Sequence, residues 1–202
     1  MALWADFHPR VMPYVMGCPF PTVDQALIDS ARDFCAKTHC WVFTSTSNVY
    51  PFDSRAEFDI DTETEVVKVM SLAVNGQVYD IKATTALRDD WRTNPPDDCT
   101  LYHDNRSEFL IFPVPASTDA VDMKMSLKPT YAATGVDDEV FSLYAEGIAA
   151  GARARLQRMP RQPWTDLSQA QIDGLAHMAA IQRAANVDFA RTMNHRVQKA
   201  AL

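Results

Sequence analysis

The chain has 202 residues, 47% of them hydrophobic, and a formal net charge of -7. This length gives one domain or two small ones with a real core, and no apolar run of about 18 residues predicts a membrane span. Polar residues interrupt the first ten positions, so we expect no signal peptide. The four cysteines lack the spacing of a disulfide framework, which favours reduced thiols in a protein made in the cytoplasm.

The charge is unevenly distributed along the sequence. From Gly151 onward eight bases stand against three acids, giving +5, whereas the remainder has 11 bases and 23 acids, giving -12. An acidic body disfavours tight nucleic-acid binding, which depends on neutralising phosphates. The basic segment favours an acidic protein partner or a charge-patterned assembly.

Helical patterns come first in chain order. The apolar spacing from Leu3 to Met16 predicts short helical turns, because two prolines prevent a long helix. Thr22 is the predicted N-cap of a helix from Val23 to about Thr38. Its predicted apolar face consists of Leu27, Ala31, Phe34 and Cys35.

From Trp41 the pattern becomes typical of β-strands. The apolar-rich run Glu65 to Val74, followed by Asn75-Gly76, predicts a hairpin with the next strand. The other predicted elements are a short helix from Ala83 to Arg92, a second hairpin of Thr100–His103 with Glu108–Phe112, and a half-buried strand from Val121 to Leu127. The middle of the chain is therefore predicted to be an antiparallel β unit bracketed by helices.

The stretch from Asp137 to Met159 predicts the central helix. Three acids lie in its first turn and Arg153, Arg155 and Arg158 lie near its end, the order that the helix dipole favours. Its predicted apolar face consists of Phe141, Tyr144, Ile148, Ala152, Leu156 and Met159. Gly147 and Gly151 each cost a helix about 1 kcal/mol against alanine, so they predict a close-packed neighbouring helix.

A proline-containing loop precedes the last predicted helix, which Thr165 or Ser168 can cap and which runs from about Ser168 into the 190s. Its predicted apolar stripe consists of Ile172, Leu175, Ala176, Ala179, Ala180 and Val187. Together the patterns predict an α+β fold, in which helices from both ends of the sequence form a bundle and the antiparallel β unit is inserted between them.

Two clusters could carry chemistry. Cys35, His39 and Cys40 could belong to a zinc site or a Cys/His-dependent enzyme, but a core thiol at a helix end is the favoured interpretation. The acidic cluster could do acid-base work or bind calcium, although a solvated strand edge is favoured. It consists of Asp53, Glu57, Asp59, Asp61, Glu63 and Glu65. The remaining histidines are isolated, so we predict no catalytic site, cofactor or metal.

Two segments have amino-acid sequences that resemble those of a known family. They are PYVMGCPFPTVDQALIDSARDFCAKTHCW, from Pro13 to Trp41, and YAEGIAAGARARLQRMPRQPW, from Tyr144 to Trp164. They resemble the head-to-tail adaptor (connector) proteins of tailed bacteriophages. The resemblance implies a structural virion protein of the phage neck, at the head-tail interface, and no enzyme. A small metal-binding or Cys/His-dependent enzyme domain is the alternative.

The resemblance also implies an arrangement and partners. Adaptors form a homo-oligomeric ring, usually a dodecamer, that joins the portal protein to a tail, nozzle or tail-terminator protein, and DNA passes through the lumen without specific binding. Residues 1–40 and 130–202 would form the portal-docking bundle, and residues 41–129 the tail-facing β domain. The acidic cluster would stay exposed or line the channel. The hypothetical portal-binding residues are Arg183, Arg191, His195, Arg196, Lys199 and Leu202.

Overall fold

The computed structural model describes residues 1–50, 55–79, 100–103, 108–112 and 117–200, with side chains described for residues 1–50, 58–78 and 117–186. The chain divides into two compact units. The helical unit comprises Met1–Trp41 and Lys128–Leu202, and the β unit comprises Val42–Leu127. The predicted α+β class is confirmed.

Four helices build the helical unit. They are α1 (Trp4–Val11), α2 (Phe20–Thr38), α3 (Asp138–Gln157) and α4 (Leu167–Ala200). A 3-10 turn, Met12–Tyr14, follows α1, and the short strands β1 (Ala2–Leu3) and β9 (Gly135–Val136) pair antiparallel. Helix α3 packs against each of the other three helices and is the centre of the unit.

Helix α2 begins earlier than predicted. Pro19 is its N-cap, with extended backbone, and Pro21 lies in the first turn. Proline suits this position because its fixed φ is helical and the first turn needs no amide hydrogen, so Thr22 is inside the helix and the predicted N-cap is wrong. The predicted end at Thr38 is confirmed, where His39 is left-handed with φ 53°.

The start of the last helix also needs correction. The Asp166 carboxylate accepts hydrogen bonds from the amides of Ser168 (3.0 Å) and Gln169 (2.9 Å), so Asp166 caps α4. The Thr165 hydroxyl instead donates to the Met159 carbonyl and accepts from the Gln162 amide within the preceding loop. The caps predicted at Thr165 and Ser168 are therefore wrong by one or two residues.

The glycines of α3 are in close contact with two helices, as predicted. A Cβ at Gly147 would lie 2.7 Å from the Ala180 Cβ on α4 and 3.3 Å from the Phe34 ring on α2. A Cβ at Gly151 would collide with Ser30 on α2 and would lie 2.6 Å from Nδ1 of His177 on α4. These two positions let three helix backbones approach one another.

The β unit contains two sheets. The first has strands β2 (Trp41–Val49), β4 (Thr64–Val74), β5 (Gln77–Tyr79) and β8 (Asp119–Pro129) in the order β2-β8-β4-β5. The second has strands β3 (Arg55–Glu57), β6 (Thr100–His103) and β7 (Glu108–Phe112) in the order β3-β7-β6. Wherever the residue register is described, neighbouring strands run antiparallel.

Both predicted hairpins are confirmed. Leu72 pairs with Tyr79 across a turn in which Asn75 and Gly76 have φ of 50° and 81°, as a type I′ turn requires. Strands β6 and β7 are paired antiparallel as predicted, and the helix predicted at Ala83–Arg92 lies outside the described residues. Strand β8 buries Val121, Met123, Met125 and Leu127 as predicted, but Ser126, predicted on the opposite face, is buried as well.

Candidate docking surfaces of the helical unit

The inner face of α4 carries a buried ion pair. Arg153 of α3 and Asp173 of α4 are 5% and 4% exposed, and the Nε of Arg153 donates to Asp173 Oδ1 at 3.0 Å. The same guanidinium donates to the Arg10 carbonyl (2.8 Å) and to the exposed Glu146 (2.9 Å), and it lies 4.6 Å from the centre of the Tyr14 ring. One side chain thus ties α3 to α4 and to the end of α1.

Burial lowers the pKa of the Arg153 guanidinium, but the hydrogen bonds with Asp173 and then Glu146 outweigh it and raise the pKa above its ordinary value. From the sequence, Arg153 was expected only to lie near the end of α3, where its positive charge interacts favourably with the helix dipole. Its ion pair was missed because Asp173 is 20 residues away in sequence and interrupts an otherwise alanine-rich helix.

A second polar contact joins α2, α3 and α4. His177 Nδ1 is 2.8 Å from the Gly147 carbonyl, and its Nε2 is 3.3 Å from the Asp33 carboxylate, which also pairs with Lys37. Burial raises the pKa of Asp33, but the hydrogen bonds from Lys37 and His177 dominate, and the net effect is a lowered pKa. This cluster fixes the three-helix crossing, and His177 also lines one of the grooves between α3 and α4.

The outer face of α4 is apolar and carries much of the predicted stripe. Among the described side chains of α4, the buried ones belong to Ala170, Asp173, His177, Ile181 and Ala184. The exposed large residues are Leu167 (63%), Ile172 (60%), Leu175 (72%) and Met178 (46%). The largest described members of the predicted stripe therefore point away from the helical unit; Val187 lies beyond the residues whose side chains are described.

Two grooves run between α3 and α4. One, of about 410 Å³, is lined by α3 residues that include Glu146 and Gly147 and by α4 residues that include Ala176 and Arg183. The other, of about 610 Å³, brings Arg155 and Arg158 beside Leu175 and Met178. Alanine and glycine form most of the floor of the first groove, whereas the second also carries the polar side chains of Arg155, Arg158, Gln171 and His177.

A second exposed apolar patch lies where α1 passes into α2. It consists of Tyr14 (53% exposed), Met16 (76%) and Phe20 (57%). The His8 ring stacks on Phe20 with centroids 5.0 Å apart, and His8 Nε2 is 2.7 Å from the Asp24 carboxylate. The sequence does not predict this patch, because three apolar residues in a short, proline-rich connection show neither helical nor strand periodicity.

The predicted portal-binding residues lie on or after the middle of α4. Arg183 is exposed, and its Nε donates to the Ala179 carbonyl of the same helix at 3.3 Å. Helix α4 continues to Ala200 and so contains Arg191, His195, Arg196 and Lys199. Their side chains and Leu202 lie outside the described part of the chain.

The acidic cluster is only partly described. Asp59 and Asp61 are exposed, and Glu63 and Glu65 are half-buried at the start of β4. The Asp61 carboxylate accepts from the Glu63 amide at 2.9 Å, so this side chain stabilises the turn before β4. Asp53 and the side chain of Glu57 lie outside the described residues.

Cys35 is fully buried on α2, and Cys40 is mostly buried. The hydrogen bond with Cys40, together with burial, holds the pKa of the Cys35 thiol well above its ordinary value, whereas the same hydrogen bond lowers the pKa of the Cys40 thiol. Zinc needs thiolates, which a thiol like Cys35 resists forming. Among the described residues, no three His, Cys, Asp or Glu side chains form a group that could hold a metal ion.

The unit thus presents exposed apolar surfaces of several side chains each, which are typical of sites where proteins bind one another. A family model described as SU10 adaptor protein matches residues 4–199, nearly the whole sequence. The chain belongs to this family. The resemblance to phage head-to-tail adaptors is therefore confirmed, and the protein is a structural adaptor of the phage virion neck.

A comparison with curated proteins found no match. In the described parts of the chain, no helix combines the length and the apolar character that crossing a membrane requires.

Proposed function

We propose that this adaptor forms a ring, dodecameric as the resemblance implies, between the portal and the tail, and that DNA passes through its lumen without specific binding. The observation that carries this proposal is the family match over residues 4–199, which spans both units of the structure. In this arrangement the helical unit docks on the portal, and the β unit faces a tail, nozzle or tail-terminator protein.

The proposed portal contact is the segment from Arg183 to Leu202. It contains Arg183, Arg191, Arg196 and Lys199 and has no acid after Asp188. Because α4 continues as a helix to Ala200, these bases are carried on one extended element. A basic helix of this kind fits an acidic groove on a partner, and many identical copies strengthen the contact through avidity.

The acidic cluster supports the proposed passage of DNA. The exposed carboxylates of Asp59 and Asp61 repel phosphates, so a lumen that contained them would not retain the DNA. Asp59 and Asp61 belong to the β unit, which we propose faces the tail, so they would act in the tail-facing part of the ring.

Deletion of Asn194 to Leu202 tests the portal contact. All the core residues that the structure describes in the helical unit precede this segment, so we expect unchanged melting but loss of attachment to purified portal complexes, measured by co-sedimentation. Two double variants separate the effect of positive charge from the effect of chain length. The variant with Arg191→Lys and Arg196→Lys should bind normally, whereas the variant with Arg191→Gln and Arg196→Gln should bind at least tenfold more weakly. Normal attachment of the deletion variant, or its unfolding, would contradict the proposal.

A further inference from the structure

The outer face of α4 has the composition of an interface core. Its exposed apolar residues Ile172, Leu175 and Met178 follow one another at intervals of three, with Ala179 beside them. From Leu167 to Asn186 this helix exposes no acidic side chain and only one basic side chain, Arg183, because Asp173 is buried. Depletion of charge around large apolar side chains distinguishes the centre of an interface from ordinary surface.

The patch at the α1–α2 connection is a second surface on which large apolar side chains are exposed. Tyr14, Met16 and Phe20 are each more than half exposed. Helix α1 and the start of α2 pack on α3, and α1 makes no extensive contact with α4. The two patches are therefore different surfaces of the same unit, and neither covers the other.

The charges beside the two patches have opposite signs. Arg158 is exposed and lies in the groove with Leu175 and Met178, and Arg183 follows Ala179 by one turn. Beside the other patch, the Asp24 carboxylate contacts His8, whose ring stacks on Phe20. Arg158 and Arg183 thus form a basic rim at one apolar patch, and Asp24 forms an acidic rim at the other.

We propose that these two patches bind each other between copies of the chain. The outer face of α4 in one copy covers the Tyr14, Met16 and Phe20 patch of the next, with the basic rim against the acidic rim. Because the two surfaces differ, the contact is heterologous, so each copy keeps one patch free for another neighbour and the assembly closes only as a ring. This inference rests on the proposed ring function and specifies its subunit contact.

Cross-linking in assembled particles tests this contact. Virions are produced with the chain carrying Met16→Cys, Leu175→Cys or both, then treated with a short bis-maleimide and separated under denaturing conditions. The double variant should give a ladder extending beyond the dimer. Each single variant should match the wild-type chain, which controls for the native cysteines.

The possible results separate the contact from the function. Dimers from Leu175→Cys alone would show that α4 pairs with itself and would overturn the heterologous contact. A double variant present in the neck without a ladder would also overturn it. Absence of the wild-type chain from purified particles would instead overturn the proposed function.

Leu175→Asp provides an independent measurement. Since Leu175 is 72% exposed, the purified variant should melt like the wild-type chain. Its incorporation into particles should fall at least tenfold, whereas Leu175→Met, which keeps an apolar side chain of similar volume, should be incorporated like the wild type. Normal incorporation of Leu175→Asp would contradict the proposed contact.

Discussion

Helices α3 and α4 pack against each other but differ in where their large apolar side chains lie. Helix α3 turns Ile148 and Leu156 into the core, whereas α4 buries Asp173 and His177 and exposes Leu175. The apolar face of α3 is covered by its own chain, and that of α4 is not. The comparison teaches that apolar periodicity identifies a surface to be covered without specifying which molecule covers it.

The largest effect should come from breaking the polar inner face of α4. Asp173→Ala leaves the Arg153 guanidinium buried with only the Glu146 and Arg10 contacts, so we expect a loss of about 3 kcal/mol in the free energy of unfolding. Urea denaturation measures this loss. The double variant Arg153→Met with Asp173→Leu should recover most of it, because a well-packed apolar pair can replace a buried ion pair. A double variant as unstable as the single one would show that the pair itself is required.

A smaller effect should follow from filling the contact between the two helices. Gly151→Ala places a methyl group against Ser30 and His177, and the overpacking should outweigh the gain in helix propensity by about 1 to 2 kcal/mol. Gly174→Ala is the matched control on α4. Its Cβ would meet only the flexible end of Arg158, at 3.2 Å, so we expect stabilisation of up to about 1 kcal/mol by thermal unfolding. Equal changes at both positions would contradict this account of the packing.

The smallest effect should be the pH dependence contributed by Asp33. Its pKa is lowered in the folded state, so its stabilising contribution is fully present above the ordinary carboxyl pKa of about 4 and is lost as the pH falls through the folded pKa. The difference in unfolding free energy between the wild-type chain and Asp33→Asn should therefore be constant near neutral pH and shrink in acid. Urea titrations at several pH values measure it. A difference that grew as the pH fell would contradict the role of the Lys37 and His177 contacts.

The sequence predicts those parts of the fold whose signals are local. The Asn75-Gly76 turn, the buried apolar residues of β8 and the apolar face of α3 each arise from neighbouring residues, and each is confirmed. Helix starts were less well predicted, because proline replaces the usual capping residue in α2 and Asp166 precedes the expected cap of α4.

The candidate surfaces were less predictable, for a different reason. The pairing of Arg153 with Asp173 was not predicted, because the buried ion pair joins residues on two helices. Leu175 was predicted to belong to an apolar stripe, but its exposure was not predicted, because periodicity does not show whether the same chain or another molecule covers the stripe. Signals that depend on tertiary or quaternary contacts cannot be extracted from the period of one helix.

The insertion of the β unit has a consequence for how the chain folds. Helices α1 and α2 must find α3 and α4 across residues 42–127, a long loop whose closure opposes folding entropically. The strands that leave and re-enter the helical unit, β2 and β8, are hydrogen-bonded neighbours in one sheet, and Thr46 of β2 donates to Asp122 of β8 at 2.6 Å. Early formation of this sheet would shorten the effective loop, so the order in which the units acquire structure affects the rate at which the helices meet.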